Sequence, residues 1–135
     1  MKRILSLALV LVLVLGFAVP VFAAESESAV SPRYTYIGSL SAALEISKLG
    51  VASCGGSCWV PNADRVVFTC RLQRYEDSAW KTVKTWTASS VPTSTISKAY
   101  AVSSGYTYRV RTTCAVYNSD ILVESGTCYS NQVTY

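Results

Sequence analysis

One stretch constrains this chain more than any other: Val66, Phe68, Cys70 and Leu72 share one parity, while Val67, Thr69, Arg71 and Gln73 share the other. A helix would scatter the apolar set around its circumference, whereas a half-buried strand collects it on one face. The same texture of Val, Thr, Tyr, Trp and Ile, broken by Gly, Pro, Asn, Asp and Ser, runs through most of the chain after Pro32. It predicts strands over 34–37, 43–48, 51–54, 65–75, 80–88, 95–102, 106–117 and 121–129. Seven or eight short strands with turn signals between them suit an antiparallel β-sandwich, and 135 residues suit a single domain. The competing helical reading of Ser39 to Leu49 is short and stops at Gly50; Leu44 and Ile46 alternate as a strand requires, although Ala42 and Ala43 do not.

Two segments can be placed in register. A loop over Glu76-Asp77-Ser78-Ala79 pairs Tyr75 with Trp80, Gln73 with Thr82, Arg71 with Lys84 and Thr69 with Trp86. Val66, Phe68, Cys70 and Leu72 then face the core, with Val83 across from Leu72. In 106–117, Tyr108, Val110, Thr112, Cys114 and Val116 share one parity; Tyr108 and Val110 should point inward, Arg109 and Arg111 outward.

The N-terminus reads as an export signal. Met1-Lys2-Arg3 is a short basic start, Ile4 to Leu15 is apolar, Gly16 and Pro20 break a helix, and Val21-Phe22-Ala23 carries the small residues a signal peptidase reads. The expected organisation is a signal peptide over 1–23, a Ser-rich, acidic flexible leader over 24–33, and a β-sandwich domain over 34–135. The alternative, a retained apolar anchor over Ile4 to Ala24, fits the Gly16 and Pro20 breaks less well. The expected location is secreted and extracellular, with no stable membrane anchor after cleavage. The twelve Lys and Arg include Lys2 and Arg3; without them ten basic residues face eight acidic ones, too even a balance to propose nucleic acid as a partner.

The Val66-x-Phe68-x-Cys70-x-Leu72 strand, the Trp80-x-x-Val83-x-x-Trp86 strand and Gly105-Tyr106-Thr107-Tyr108-Arg109-Val110, in that order, resemble a fibronectin type III or other immunoglobulin-like sandwich. Tyr36-Ile37, Gly50-Val51-Ala52, Leu72-Gln73, Trp80, Trp86, Gly105 to Val110, Glu124-Ser125 and Ser130 resemble more closely a family of uncharacterised small secreted proteins of Gram-positive bacteria. That resemblance covers most of the chain after Pro32. It implies a sandwich and export, and brings no functional residue with it.

Five Cys and no His shape the chemistry. Export makes disulfides the first reading of Cys54, Cys58, Cys70, Cys114 and Cys128. A zinc site would have to begin from Cys54-Gly55-Gly56-Ser57-Cys58 and draw in other thiolates, with no imidazole available; no metal and no cofactor is expected. An odd count leaves one thiol unpaired within the chain. If Asn118-Ser119-Asp120 turns the last hairpin, Cys114 lies opposite Glu124 or Ser125, and Cys128 is roughly 10 Å too far along for a bridge. Cys70 and Cys114 are both inward, on strands that would be neighbours in a fibronectin-like sheet. The favoured pairs are Cys70 with Cys114 and Cys54 with Cys58 as a local loop, leaving Cys128 free or intermolecular. The runner-up pairs Cys54 with Cys114 across the sheets, as immunoglobulin domains do.

No catalytic constellation survives this reading. A Ser or Cys nucleophile lacks a His base, and Ser97 and Lys98, adjacent on a strand, point to opposite faces. Paired carboxylates would have to come from Glu45, Asp64, Glu76, Asp77, Asp120 and Glu124, of which Asp77 and Asp120 read as turn residues. The expectation is therefore a non-enzymatic extracellular module. Its candidate binding face is Tyr75, Trp80 and Trp86 with the cations Arg71 and Lys84, extended by Arg109 and Arg111, for an extracellular or cell-surface partner. The competing account of the tryptophans is that they pack on the aliphatic stems of Arg71 and Lys84. A disulfide-linked dimer or matrix component joined through Cys128 is the second expectation, and a small hydrolase the third.

Overall fold

A computed structural model describes residues 33–135. The expected signal peptide and nearly all of the expected leader lie outside the described residues. What is described is all-β: β1 (Ser39–Ile46), β2 (Val51–Trp59), β3 (Arg65–Glu76), β4 (Ala79–Ala88), β5 (Thr93–Ala101), β6 (Thr107–Asn118), β7 (Ile121–Tyr129) and β8 (Val133–Thr134). They form two antiparallel sheets, a small one in the order β1-β2-β5 and a large one in the order β4-β3-β6-β7, with β8 continuing alongside β6. The strict alternation of β3 and β6 does what it should. Val66, Phe68, Cys70, Leu72, Tyr108, Val110, Thr112, Cys114 and Val116 are all buried between the sheets, against Leu44, Ala52, Cys54, Cys58 and Ile96 of the small sheet.

Several elements differ from the sequence expectation, each for a physical reason. The segment 34–37 is not a strand, because its amides find a different acceptor. The backbone N–H groups of Thr35, Tyr36 and Ile37 all donate to the Glu124 carboxylate on β7, at 2.6, 2.8 and 2.7 Å. The first strand starts earlier than expected, at Ser39, and buries Leu44 while half-burying Leu40, Ala42 and Ile46. The second strand runs on through Gly55-Gly56 to Trp59, where a local loop was expected. Those glycines are sites of close approach: a Cβ on Gly55 would lie 2.8 Å from the Ile96 carbonyl oxygen, and one on Gly56 would lie 2.8 Å from Thr112 Cγ2 and collide with the Ser41 carbonyl. At that seam Thr112, fully buried, donates its hydroxyl to the Ser41 carbonyl at 3.0 Å and ties the sheets together.

Both long hairpins close with two-residue turns, Asp77-Ser78 and Ser119-Asp120. All four residues have positive φ, between 50° and 62°, as the mirror-image turns that match strand twist require. The expected four-residue and three-residue loops are thereby corrected. Tyr75 pairs with Trp80 and Gln73 with Thr82 as expected, but a bulge then leaves Val83 without a partner. Beyond it Lys84 stands opposite Leu72, Arg71 opposite Thr85, Cys70 opposite Trp86 and Thr69 opposite Thr87. One extra residue reverses parity. Trp86 therefore turns inward, half-buried against the core, with its ring edge-on to Tyr100 of β5 at 6.3 Å.

Candidate functional site

The outer face of the large sheet gathers most of the expected surface residues. Tyr75 and Trp80, paired across the β3–β4 turn, have ring centroids 5.2 Å apart and tilted by 58°. β6 lies beside β3, so Arg109 stands opposite Gln73 and Arg111 opposite Arg71. The Arg109 guanidinium sits 4.1 Å from the Trp80 ring centroid on one side and 4.3 Å from the Tyr129 ring on the other. Its Nε–H donates to Gln73 Oε1 at 2.9 Å. Although Gln73 is on the outward parity of its strand, it is only 6% exposed, because this stack covers it. A guanidinium held between two rings with a buried amide beneath it is a pre-organised surface, since the rings and the amide fix its rotamer before any ligand arrives. Tyr75 and Tyr129 remain about half exposed, at 46% and 50%. Beside them Tyr75, Trp80, Thr107 and Gln132 line a shallow hollow of about 220 Å³.

The structure brings together Tyr75, Trp80, Arg109, Arg111 and Arg71 from the expected set. It removes two: Trp86 packs inward, and Lys84, shifted by the bulge, no longer pairs with Arg71. It adds Tyr129 and Gln73. Tyr129 was out of reach of sequence reasoning: the two-residue turn at Ser119-Asp120 alone would set Cys128 across from Arg111, and a bulge beyond Tyr117 shifts the register by one so that Tyr129 stands there instead. Nothing in the sequence marks Gln73 as the amide beneath the stack.

The four core thiols lie across the seam between the sheets. The neighbouring Cys58 thiol of β2, together with burial, raises the pKa of Cys114 on β6. Burial pushes Cys54 up to about 12, with the nearby Cys70 sulfur adding to it, and burial pushes Cys70 up to about 11. As thiols Cys54, Cys70 and Cys114 are therefore poor nucleophiles at neutral pH. The favoured pairings do not fit this geometry. Cys54 and Cys58 are four residues apart on an extended strand, roughly 13 Å, too far for a bridge. Cys70 and Cys114 are inward on neighbouring strands as expected, but offset by two positions, Cys70 opposite Thr112 and Cys114 opposite Phe68. The runner-up pairing of Cys54 with Cys114 finds no support, the thiol that influences Cys114 being Cys58. Cys128, opposite Thr112 on β7, is half-buried. No family model matches the chain, and no curated protein matches it in sequence.

Proposed function

We propose that this chain is an exported, non-enzymatic binding module with an immunoglobulin-like sandwich, and that it engages an extracellular or cell-surface partner through the outer face of its large sheet. The observation that carries the reading is the stack of Trp80, Arg109 and Tyr129 over Gln73. The sandwich type is supported by the strand orders, in which the chain crosses between sheets after β2, β4 and β5. It is supported as well by Tyr108, a buried tyrosine near the start of β6 whose hydroxyl donates back to the Ser103 carbonyl at 2.6 Å, in the manner of a tyrosine corner. Most of the described acids are engaged structurally: Glu124 holds three amides, Glu76 pairs with Arg74, Asp77 with Lys81, and Asp64 accepts from the Ser119 N–H. Replacing Trp80 and Tyr129 together with Ala should preserve cooperative unfolding and abolish retention on isolated cell-wall polysaccharide. Retention equal to wild type, with the fold intact, would remove this face from the account.

Export also assigns the thiols. In an oxidising exterior, Cys58 with Cys114 and Cys54 with Cys70, thiols that influence one another across the sheets, would close as disulfides and leave Cys128 as the odd thiol. A covalent dimer through Cys128 is the second reading, favoured by its place on the edge strand β7 and its partial exposure. Non-reducing electrophoresis separates the two: a reducible band at twice the monomer mass supports the dimer, and monomer alone removes it.

A further inference from the structure

Arg71 and Arg111 stand directly opposite each other in the middle of the large sheet's outer face. Like charges facing across strands repel, and the repulsion is normally relieved by a carboxylate. Among the described residues neither has one: the ion pairs are Arg65 with Asp120, Arg74 with Glu76 and Lys81 with Asp77. The outward positions between them and around them are Thr69, Gln73, Thr85, Arg109, Thr113, Thr127 and Tyr129, with no acid. Among the described residues, Arg111 Nε and Thr113 Oγ1 are also buried polar atoms without a hydrogen-bond partner. Two facing guanidiniums without a counter-charge, on a face already ordered by aromatic stacking, match a ligand that brings oxyanions.

The rest of the face indicates what carries those oxyanions. From the Arg71–Arg111 row to the Tyr75–Trp80 row is four residues of β3, roughly 13 Å, long enough for more than one sugar ring. Ring faces suit the apolar faces of sugars, and the threonine hydroxyls suit their hydroxyl rims. Among the described residues the hollow on this face, lined by Tyr75, Trp80, Thr107 and Gln132, is shallow, unlike the deep apolar pockets that anchor protein hot spots. We infer that the ligand of this face is an anionic glycan, its sugar rings against Tyr75, Trp80 and Tyr129 and its phosphate or carboxylate groups on Arg71 and Arg111. This rests on the proposed binding role of the same face and adds the charge class of the ligand.

The test is equilibrium binding of the purified chain to four probes: oligogalacturonate, which carries carboxylates; phosphomannan, which carries phosphodiesters; the dephosphorylated neutral mannan; and polyglutamate. The expected result is binding to at least one anionic glycan over neutral mannan by about tenfold or more. That preference should shrink as salt rises from about 50 to about 300 mM. Replacing Arg71 and Arg111 together with Gln should remove the preference without loss of fold, and the Lys double variant should restore part of it; which anionic glycan binds identifies the charged group. Equal binding to neutral and anionic mannan, lost on replacing Trp80 and Tyr129 but indifferent to Arg71 and Arg111, overturns the anion assignment while the face itself stands. Preference for polyglutamate overturns it in favour of an acidic protein partner, and failure of every glycan to bind the folded chain overturns it outright.

Discussion

The two sheets of this sandwich share a core and differ on their outer faces. The large sheet shows Tyr75, Trp80, Arg71, Arg109, Arg111 and Tyr129, long side chains locked by stacking and by Gln73. The small sheet shows mostly short side chains along its middle, Ser41, Ala43, Ser53, Gly55, Ser57, Thr95, Ser97 and Ala99 with Glu45 among them, and its larger exposed groups, Val51 and Trp59, stand apart at opposite ends of β2. Its sequence is spent on the inside and the ends instead. Cys54 and Cys58 reach toward the large sheet, Gly56 lets β6 approach, and the segment leading into β1 is pinned by Glu124. One sheet displays and the other is fastened behind it.

That division can be broken at the fastenings, which have the larger expected effects. If both cross-sheet disulfides form in the exported chain, each contributes about 2–4 kcal/mol. Denaturant unfolding with and without reductant should then differ by the largest margin of any perturbation here, and coincident transitions would mean the sheets are not covalently joined. Gly56→Val places a branched side chain against the Ser41 carbonyl and Thr112, and should destabilise by about 3 kcal/mol. A tolerated Val would mean the sheets do not need their close approach.

Glu124→Gln tests the N-terminal pin. Burial raises the Glu124 carboxyl, but the three amide donors outweigh it and hold its pKa below the ordinary value. Stability from a depressed carboxyl is complete above the unfolded pKa, near 4.3, and is lost as pH falls through the lower folded value. The substitution should cost about 1–2 kcal/mol at neutral pH after allowance for partial exposure, and should flatten the acid limb of a stability-versus-pH curve. An unchanged acid limb would free the segment from the carboxylate.

The display face has smaller effects on stability and larger ones on binding. Arg109→Met loses the two ring contacts and should cost about 1 kcal/mol in thermal or chemical unfolding while weakening retention on cell-wall polysaccharide. Stability loss well beyond that would make the stack a structural element first. Smallest of all, Ser53→Ala combined with Ser97→Ala on the small sheet should change stability by less than about 0.5 kcal/mol and leave binding untouched. Any binding loss there would reverse the assignment of the two faces.

Much of this arrangement is legible in the sequence, and the illegible parts share a cause. Alternation over Val66 to Leu72 and over Tyr108 to Val116 reports burial directly, because side-chain direction in a strand follows parity. Tyr75, Trp80, Arg109 and Arg111 come out on one face for that reason. The Val83 bulge carries neither Gly nor Pro to announce it, so the parity of Trp86 reverses silently. Asp77-Ser78 and Ser119-Asp120 adopt turns that Asn-Gly or Asp-Gly would have advertised. Gly55-Gly56 reads as a turn because the demand for bare backbone comes from β1, β5 and β6, which are distant in sequence. Which core thiols approach one another depends likewise on how β2 lies over β3 and β6, which no spacing encodes. Glu124 looks like any acid in a strand until three amides from the other end of the domain are seen to converge on it.

The central claim, that the large sheet displays and the small sheet supports, is tested most directly by amide chemical-shift mapping of the labelled chain titrated with cell-wall polysaccharide. Shifts should concentrate at 71–75, 107–113 and 127–129, with 39–46, 51–59 and 93–101 unmoved. Shifts centred on the small sheet, or none anywhere at saturating polysaccharide, would contradict it.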